Sequence, residues 1–333
     1  MVGMTVRAGV MKLALVLLAL GGLGLQASGA DGASAGLLSE AGPTFKIAAP
    51  KGGWSLIAYG DMRFTDPGNT RDTNPVARRA LVARVAEEKP DVLLLSGDVP
   101  LSGGAANDYA VYREETAAWR AAGLKVYPAM GNHELHGSGG LENWWNAFPE
   151  LRGRRWYSVE FGEAYVITVD SNLDLKAGGE QSAWLANQLK GLPKGTKYVF
   201  VSLHHPPMAD GIVGDPSHDV RPNENALAQQ LEAAAKQTSA KIIVIAGHIH
   251  NYERFERGGV VYLVSGGGGA RPYPVERSAG DLFQNPVFPI FHYVKFVSEN
   301  GALKATMYRW DEKSGFTALD SFVVGTAAKG AAR

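Results

Sequence analysis

The chain of 333 residues contains no cysteine. This absence excludes disulfide bonds and thiolate ligands, so a bound metal ion would have to be held by imidazole, carboxylate, amide or water. The 33 basic and 33 acidic residues balance, and the sequence contains no basic run. The electrostatic footprint of a nucleic-acid-binding protein is therefore missing, and we expect no large polyanionic partner.

An apolar run long enough to span a bilayer is also lacking near the start of the chain. The stretch from Leu13 to Leu25 is shorter than the roughly 20 residues that a membrane-spanning helix needs. It follows Arg7 and Lys12 and precedes the small-residue sequence ASGA, which ends at Ala30. This order is typical of a secretory signal peptide over residues 1–30, and the alternative is a membrane anchor. We expect cleavage after Ala30, no membrane attachment afterwards, and a periplasmic or secreted location, where the absence of cysteine avoids unwanted oxidation.

The rest of the chain divides by composition. Residues 31–53 are rich in alanine, glycine and serine and predict a flexible lead-in, residues 54–325 predict one folded domain, and residues 326–333 predict a tail. Seven short, uniformly apolar runs predict buried strands. These runs are WSLIAYG, DVLLLSG, LKVYPAMG, AYVITVD, KYVFVSLHH, KIIVIAGH and VVYLVSGG.

Amphipathic stretches between several of these runs predict helices. Pro75 is expected to begin one helix, while Asn107 is the candidate cap and Gly123 the stop of another. The final stretch, from Pro289 to Val324, predicts antiparallel strands joined by the turns ENG and EKSG. The alternation of strands and helices predicts an α/β fold with helices outside the sheet layers.

Nearly every predicted strand ends in a polar residue that can bind a metal. Because the carboxyl ends of strands in an open α/β sheet gather at one edge, we expect these residues to converge. Imidazole combined with carboxylate and amide oxygen suits iron, manganese or zinc better than calcium or magnesium. The residues are Asp61 in GDMR, Asp98 in SGDVP, Asn132 and His133 in GNHE, His204 and His205 in SLHHPP, and His248 and His250 in GHIH.

In order and spacing these motifs resemble the calcineurin-like metallophosphoesterases, whose pattern is D-x-H, G-D, G-N-H-E/D, H and G-H-x-H. The resemblance extends from about Trp54 to Gly269, and GNHE and GHIH are its most specific elements. The flanking WSLIAYGD and the VSGGGG loop are similar to the purple acid phosphatase branch. The resemblance implies a four-layer α/β/β/α sandwich, with residues 54–325 as a catalytic domain. It also implies one or two divalent or trivalent metal ions per chain, of iron, manganese or zinc.

The resemblance also implies a role for each matching position. His133 would lie just outside the metal ligands and protonate the leaving oxygen or bind phosphate. Of the paired histidines, His204 would be the ligand, and His205 a packing residue or one that lies just outside the ligands. Six positions are expected to bind metal: Asp98 bridges both ions, Asp61 and His250 complete the first site, and Asn132, His204 and His248 complete the second.

One position departs from the family pattern. Arg63 stands where D-x-H has its histidine, and a guanidinium cannot ligate a metal. The tyrosine that purple acid phosphatases use instead corresponds to Leu101 here, so Asp66 or Asn69 would have to fold back to complete the first site. Arg63 is expected to bind phosphate oxygens, and the alternative is a salt bridge to a neighbouring carboxylate such as Asp61.

Two further residues are candidates for substrate binding. Arg271 follows the run Gly266–Gly269, which either lets the backbone approach a bound anion or forms a tight crossing near the metal site. His218, in the polar loop GDPSHD, either faces the substrate or lies on the surface. We interpret His136 and His292 as ordinary surface or core histidines.

The function that this resemblance implies is hydrolysis of a small phosphate monoester. In that mechanism a metal-bound hydroxide attacks phosphorus in line, the metals and Arg63 neutralise the equatorial oxygens, and His133 assists the leaving group. One alternative is a phosphodiesterase or nucleotide hydrolase that uses a single tightly bound metal. Another is a non-catalytic binding protein on the same fold. The sequence does not indicate an oligomeric state.

Overall fold

The computed structural model describes residues 42–50 and 52–324, which form thirteen strands, six α-helices and three single turns of 3-10 helix. The strands are β1 (Thr44–Ile47), β2 (Trp54–Tyr59), β3 (Val92–Leu95), β4 (Val126–Pro128), β5 (Tyr157–Phe161), β6 (Ala164–Thr168), β7 (Tyr198–Ser202), β8 (Lys241–Ala246), β9 (Tyr252–Arg257), β10 (Val260–Ser265), β11 (Phe291–Glu299), β12 (Ala302–Asp311) and β13 (Gly315–Val323). The helices are α1 (Pro75–Glu88), α2 (Ala106–Glu115), α3 (Ala117–Ala121), α4 (Gly140–Ala147), α5 (Glu180–Lys190) and α6 (Pro222–Ala235).

The strands form two mixed sheets. One has seven strands in the order β1-β5-β6-β7-β8-β10-β9, and the other has six in the order β13-β12-β11-β2-β3-β4. The strands β2, β3 and β4 are parallel, as are β6, β7, β8 and β10, while β11, β12 and β13 form an antiparallel meander. No helix among the described residues is long and apolar enough to cross a membrane.

The main hydrophobic core lies between the two sheets. It joins side chains of both, as shown by Phe200 on β7 and Phe296 on β11, whose ring centroids are 5.1 Å apart. A second core packs α5 and α6 against the outer face of the seven-stranded sheet through Leu185, Leu227 and Leu231. Helices α1 to α4 contribute to the main core on the side of the six-stranded sheet. The predicted four-layer α/β/β/α sandwich is confirmed.

The starts of α1 and α2 show which of the predicted helix signals were correct. Asn74 caps α1 by accepting hydrogen bonds from the backbone N–H of residues 76 and 77, and Pro75 is the first helical residue, as predicted. The prediction of Asn107 as a cap is wrong, because α2 already begins at Ala106. Asp108, in the first turn, instead reaches back to accept a hydrogen bond from the N–H of Ser102.

All seven predicted strands are present, but three others were not predicted. β5 and β9 are further strands of the seven-stranded sheet, and β1 pairs with β5 in parallel. The interpretation of residues 31–53 as flexible is therefore wrong for Thr44–Ile47, because the alternating Phe45 and Ile47 pack against the core and give these residues a sheet position. The predicted signal peptide and the predicted tail lie outside the described residues.

Candidate metal centre

The predicted metal-binding residues converge where the two sheets meet. Asp61, Asp98 and Asn132 follow β2, β3 and β4 of the six-stranded sheet. The histidines come from the seven-stranded sheet: His204 follows β7, while His248 and His250 follow β8. The carboxyl ends of parallel strands from both sheets thus supply side chains to one site, as the strand-end argument predicts.

The backbone of these loops is strained at the site itself. Asp61, Arg63, Asp98 and His248 adopt left-handed conformations with φ of 61°, 47°, 53° and 71°. Non-glycine residues adopt this region at a cost of roughly 1–3 kcal/mol each and do so mainly where surrounding contacts enforce it. Here the enforcing contacts are hydrogen bonds between loops, such as Asp61 N–H to Gly97 O (3.0 Å) and Arg63 N–H to Asp98 O (3.0 Å).

Asp98 is the central side chain of the site. Its Oδ1 accepts a hydrogen bond from the backbone N–H of His133 (3.0 Å) and lies 3.3 Å from His204 Nε2. Its Oδ2 accepts a hydrogen bond from Arg63 Nη2 at 3.2 Å. Burial acts to raise the pKa of Asp98, but the electrostatic interactions with His204, His133 and Arg63 outweigh it and hold that pKa well below its usual range. Asp98 therefore stays ionised and faces both halves of the site, as a bridging ligand requires.

The first half of the site consists of Asp61, Asp98 and His250, which are completely or almost completely buried. Asp61 Oδ1 and His250 Nε2 lie 3.4 Å apart, and neither atom has a hydrogen-bond partner among the described residues. His250 Nδ1 bonds the carbonyl oxygen of Arg271 (2.6 Å), so Nε2 is the nitrogen left for a ligand. Two orphaned buried acceptors facing each other fit a cation, because burying them without a partner is costly.

Burial also changes the ionisation of this first half. It raises the pKa of Asp61 to about 7, although the charge of His204 acts in the opposite direction. Burial and the charge of Arg63 hold the pKa of His250 well below its usual range, so the imidazole is neutral. A neutral imidazole beside a carboxylate is the form that binds a metal, and a bound cation would favour the ionised form of Asp61.

The second half of the site contains His204 and His248 with Asn132. His204 Nδ1 bonds Ser96 O (2.9 Å), and its Nε2 lies 3.0 Å from Asn132 Oδ1 and 3.3 Å from His248 Nδ1. One ring nitrogen is thus fixed by the backbone while the other faces the remaining ligands, an arrangement common to metal-binding histidines. The structure therefore brings together all six predicted metal-binding residues.

His205 lies next to this group. One ring nitrogen from each of His204, His205 and His248 falls within 4.8 Å of the others. The Nδ1 of His205 is occupied by Ser171 Oγ at 2.8 Å, whereas His204 also contacts Asp98 and Asn132. These extra contacts keep His204 as the predicted ligand, and the ring of His205 packs against it with centroids 5.0 Å apart.

Arg63 takes the alternative expected for it, a salt bridge, but with a different partner. The guanidinium binds Asp98 rather than Asp61, and its side chain is largely buried. The residues proposed to replace the missing histidine do not contribute: the side chain of Asp66 accepts a hydrogen bond from Gly68 N–H in an exposed turn, and Asn69 bonds Asp72. The positive charge of Arg63 thus lies directly on the ligand that the two halves share.

Glu134 was not identified as a separate residue in the sequence, although it closes the GNHE motif. Its fully buried carboxylate accepts three backbone hydrogen bonds, from Asp98 (3.0 Å), Val99 (2.8 Å) and Gly131 (2.8 Å). It therefore ties the loop of Asp98 to the loop of Asn132. Burial and the charge of Asp98 raise the pKa of Glu134 to about 8.

His133 stands at the rim of the centre, next to the ligands. Its Nδ1 bonds Leu101 O and its Nε2 lies 3.8 Å from Asp98 Oδ2. Because Leu101 O can only accept, Nδ1 carries the proton of the neutral ring. Burial and Arg63 lower the pKa of His133 to about 4. The free protein therefore holds His133 as a neutral imidazole whose Nε2 faces the site.

The two predicted substrate-binding residues lie in the same neighbourhood. The ring of His218 packs on His248 with centroids 4.7 Å apart, while Arg271 contributes its carbonyl oxygen to His250 and leaves its side chain exposed. Between them lies Tyr273, which the sequence reasoning missed because a lone tyrosine between prolines carries no motif. Its ring stacks on His250 (4.2 Å, 15°), and its hydroxyl interacts with Arg63.

The glycine run is a tight crossing. A Cβ on Gly266 would lie 2.2 Å from Ile249 O, and one on Gly268 would lie 2.3 Å from Gly60 O. The N–H groups of these two glycines bond Asn251 O and Gly60 O, so they are not available to an anion. The run lets the loops that carry Asp61 and His250 approach each other without side chains between them.

Comparisons with known proteins agree with this geometry. The family model described as calcineurin-like phosphoesterase matches residues 56–252, more than half of the chain. The chain therefore belongs to the calcineurin-like phosphoesterase family. It is 26% identical over 266 residues to a probable purple acid phosphatase 20 of Arabidopsis thaliana, an alignment that covers 70% of this chain and 57% of the relative. The chain thus spans little more than half the length of that relative.

Two solved structures resemble the fold at low sequence identity. The purple acid phosphatase PPD1 from seeds of yellow lupin (Lupinus luteus) has a TM-score of 0.66 at 16% identity and covers 83% of this chain and 54% of its own. GAP50, described as the anchor in the inner membrane complex of Plasmodium, has a TM-score of 0.57 at 15% identity and covers 84% and 90%. At these identities the likeness shows the fold alone.

Proposed function

We propose that this protein is a metal-dependent hydrolase of small phosphate monoesters. The observation that carries the proposal is the pair of orphaned, buried ligand atoms Asp61 Oδ1 and His250 Nε2, which share the ionised Asp98 with a second, imidazole-rich half of the site. When bound, the metals supply an activated nucleophile and positive charge for the phosphoryl oxygens. Nitrogen and oxygen ligands favour iron, manganese or zinc for these positions.

The roles of the chain's own residues follow from their contacts. Arg63 already binds a carboxylate oxygen in the site, and its planar fork can transfer to the oxygens of a phosphate. His133 is neutral in the free protein, but a doubly charged monoester near Nε2 raises the pKa of the ring by attraction. The bound monoester thereby favours protonation of His133 at Nε2, and this proton is the one that the leaving oxygen needs. A singly charged diester exerts a weaker pull, so this arrangement favours monoesters.

Room for the organic part of the ester is offered by a cleft of about 560 Å³ that Arg271 lines, the residue whose carbonyl oxygen fixes His250. The other walls are mainly apolar and include the exposed Phe288. We propose that the leaving group enters this cleft, with the Arg271 side chain available to a second negative charge.

The test is an activity panel on protein stripped with a chelator and reloaded with manganese, iron, zinc or nickel. We expect turnover of an aryl phosphate monoester to exceed that of an aryl diester by at least about tenfold, the factor that a 1.4 kcal/mol difference in transition-state binding produces. Asp98→Asn serves as the inactive control. A preference for the diester would favour the phosphodiesterase alternative. Metal binding without turnover of either ester would favour a non-catalytic binding protein.

We further propose export through a cleaved signal peptide, on the basis of the charged, apolar and small-residue order of residues 1–30. Mass spectrometry of the exported fraction should find a chain that begins near Asp31. An intact N-terminus in that fraction would contradict cleavage and support the membrane anchor.

A further inference from the structure

A second buried acidic cluster lies apart from the metal centre. It consists of Asp210 in the loop after β7, Glu253 on β9 and Asp281 in the loop between β10 and β11, with exposures of 8%, 0% and 1%. One carboxylate oxygen from each lies within 4.8 Å of the others. The hydrogen bonds found for these carboxylates in the described part of the chain do not involve the metal-binding residues.

The positive charge next to the cluster does not balance it. Arg277 bonds Asp281 Oδ2, and the nearby Arg254 is paired with Asp320 at 2.6 Å. With all three carboxyl groups ionised, the single guanidinium leaves two negative charges without a partner. Burying charge without compensation is expensive, so the native structure needs either a cation or protons at this place.

Glu253 shows where the missing partner belongs. Its Oε2 accepts a hydrogen bond from the backbone N–H of Asp210 at 2.6 Å. Its Oε1 is buried and has no hydrogen-bond partner among the described residues. Burial, followed by the charges of Asp210 and Asp281, holds the pKa of Glu253 well above its usual range. This oxygen therefore sits unpartnered in a protein interior beside two other carboxylates.

We propose that Asp210, Glu253 and Asp281 form a binding site for a divalent cation that prefers oxygen ligands, and that calcium fits it best. The donor set contains no nitrogen, unlike the main centre, and hard cations bind such sets. Calcium takes six to eight oxygen ligands and is commonly held by several protein carboxylates. Magnesium usually keeps several waters and is held by one or two carboxylates, so three carboxyl groups at one buried place suit calcium better. One divalent ion would neutralise the two unbalanced charges.

The positions of the three ligands give this cation a structural role. Asp210 follows the segment that carries His204, Glu253 follows the one that carries His248 and His250, and Asp281 closes the loop that contains Tyr273. Backbone hydrogen bonds already connect the segments at the cluster, including Ser278 N–H to Asp210 Oδ2 (2.8 Å). A cation here would fix these segments relative to each other and support the histidine ligands from outside the catalytic site.

The experiment measures calcium directly. Full-length protein is stripped with a chelator, equilibrated with calcium by dialysis, and assayed for bound calcium and for melting temperature. We expect one calcium ion per chain and a higher melting temperature with calcium than without. In Glu253→Gln we expect the calcium affinity to fall by about tenfold or more, because the charge of the ligands sets affinity, and the melting shift to disappear. Without calcium this variant should be no less stable than the wild type, since glutamine keeps the shape of Glu253 and removes a buried acid that has to be kept protonated.

Two further variants make the result decisive. Asp320→Asn removes a largely buried carboxylate that is paired with Arg254 outside the cluster, and it should keep the calcium-dependent shift. Asp210→Asn tests the same site from another segment if Glu253→Gln does not fold, and it should lose the shift. Absence of calcium binding in the wild type would overturn the proposal and leave protons as the compensation. Equal calcium binding in the wild type and Glu253→Gln would also overturn it.

Discussion

Replacing Arg63 with histidine tests whether this arginine makes the first metal position bind more weakly than the second. Arg63 Nη2 lies 3.2 Å from Oδ2 of Asp98, the carboxylate that the two halves of the site share. The substitution removes this cation and supplies the imidazole that the family pattern has at the same place. The backbone tolerates the change, because histidine is among the residues enriched at positive φ and Arg63 has φ of 47°. We therefore expect Arg63→His to strengthen the first metal position.

The expected size follows from two competing costs. At an effective dielectric of about 20, unit charges about 4 Å apart repel by about 4 kcal/mol, and a divalent ion doubles that figure. If Arg63 swings away instead, it loses a charged hydrogen bond to a buried carboxylate, about 1.5–3 kcal/mol. Arg63 will adopt the arrangement with the smaller cost, which is to swing away. The first metal should therefore bind about 2 kcal/mol more weakly because of Arg63. That difference corresponds to about thirtyfold in the dissociation constant.

Metal titration with elemental analysis distinguishes the effect of the Arg63 charge from the effect of the missing imidazole ligand. The wild type should retain about one metal ion per chain through purification and bind a second only when metal is added. Arg63→Gln removes the charge alone and should recover about thirtyfold in affinity, while Arg63→His should bind two ions tightly. Arg79→His adds a surface histidine on α1 and controls for non-specific binding. Two equally tight ions in the wild type would refute the reasoning, since another residue would then have replaced the missing ligand.

Three further predictions concern neighbouring residues. His204→Ala should abolish bound metal and activity together, whereas His205→Ala should retain metal, as elemental analysis of both variants will show. Glu134→Gln should lower the free energy of unfolding by about 1–3 kcal/mol in urea titrations, because the amide NH2 replaces one of the two oxygens that accept from buried backbone N–H groups. Burial lowers the pKa of His292 to about 4, so between pH 6.5 and pH 4 only the unfolded chain gains its proton and the native state loses about 3 kcal/mol. The free energy of unfolding of His292→Gln should change by that much less between pH 7 and pH 4, and equal changes in the variant and the wild type would contradict the argument.

The strand ends could be predicted from the sequence because each metal-binding residue directly follows an apolar run. Periodicity and strand-end position depend on local order along the chain, and they placed Asp61, Asp98, Asn132 and the histidines at one edge. Local order was insufficient for β1, whose four residues become a strand only because β5 lies beside them. The strand depends on a neighbour more than 100 positions away in the chain.

The partner of Arg63 could not be predicted for a similar reason. The sequence shows Asp61 two residues away, but Asp61 and Arg63 have left-handed backbones, and the guanidinium pairs with Asp98 in the loop after β3. Tyr273 was missed because a single tyrosine forms no motif, and the Asp210 cluster because its members come from two loops and from β9. These residues meet only through the tertiary packing of the chain, which a local sequence pattern does not show.

The division of the ligands between the two sheets makes the metal centre a cross-link in the fold. Asp61, Asp98 and Asn132 belong to one sheet and the histidine ligands to the other, so an ion bound to both sets joins two layers that otherwise adhere through the apolar core. Because metal binding stabilises the native state by mass action, the free energy needed to separate the two sheets should rise with metal concentration. Amide hydrogens at the carboxyl ends of β2 and β8 should therefore exchange with solvent more slowly as metal is added, even in residues that contact no ion.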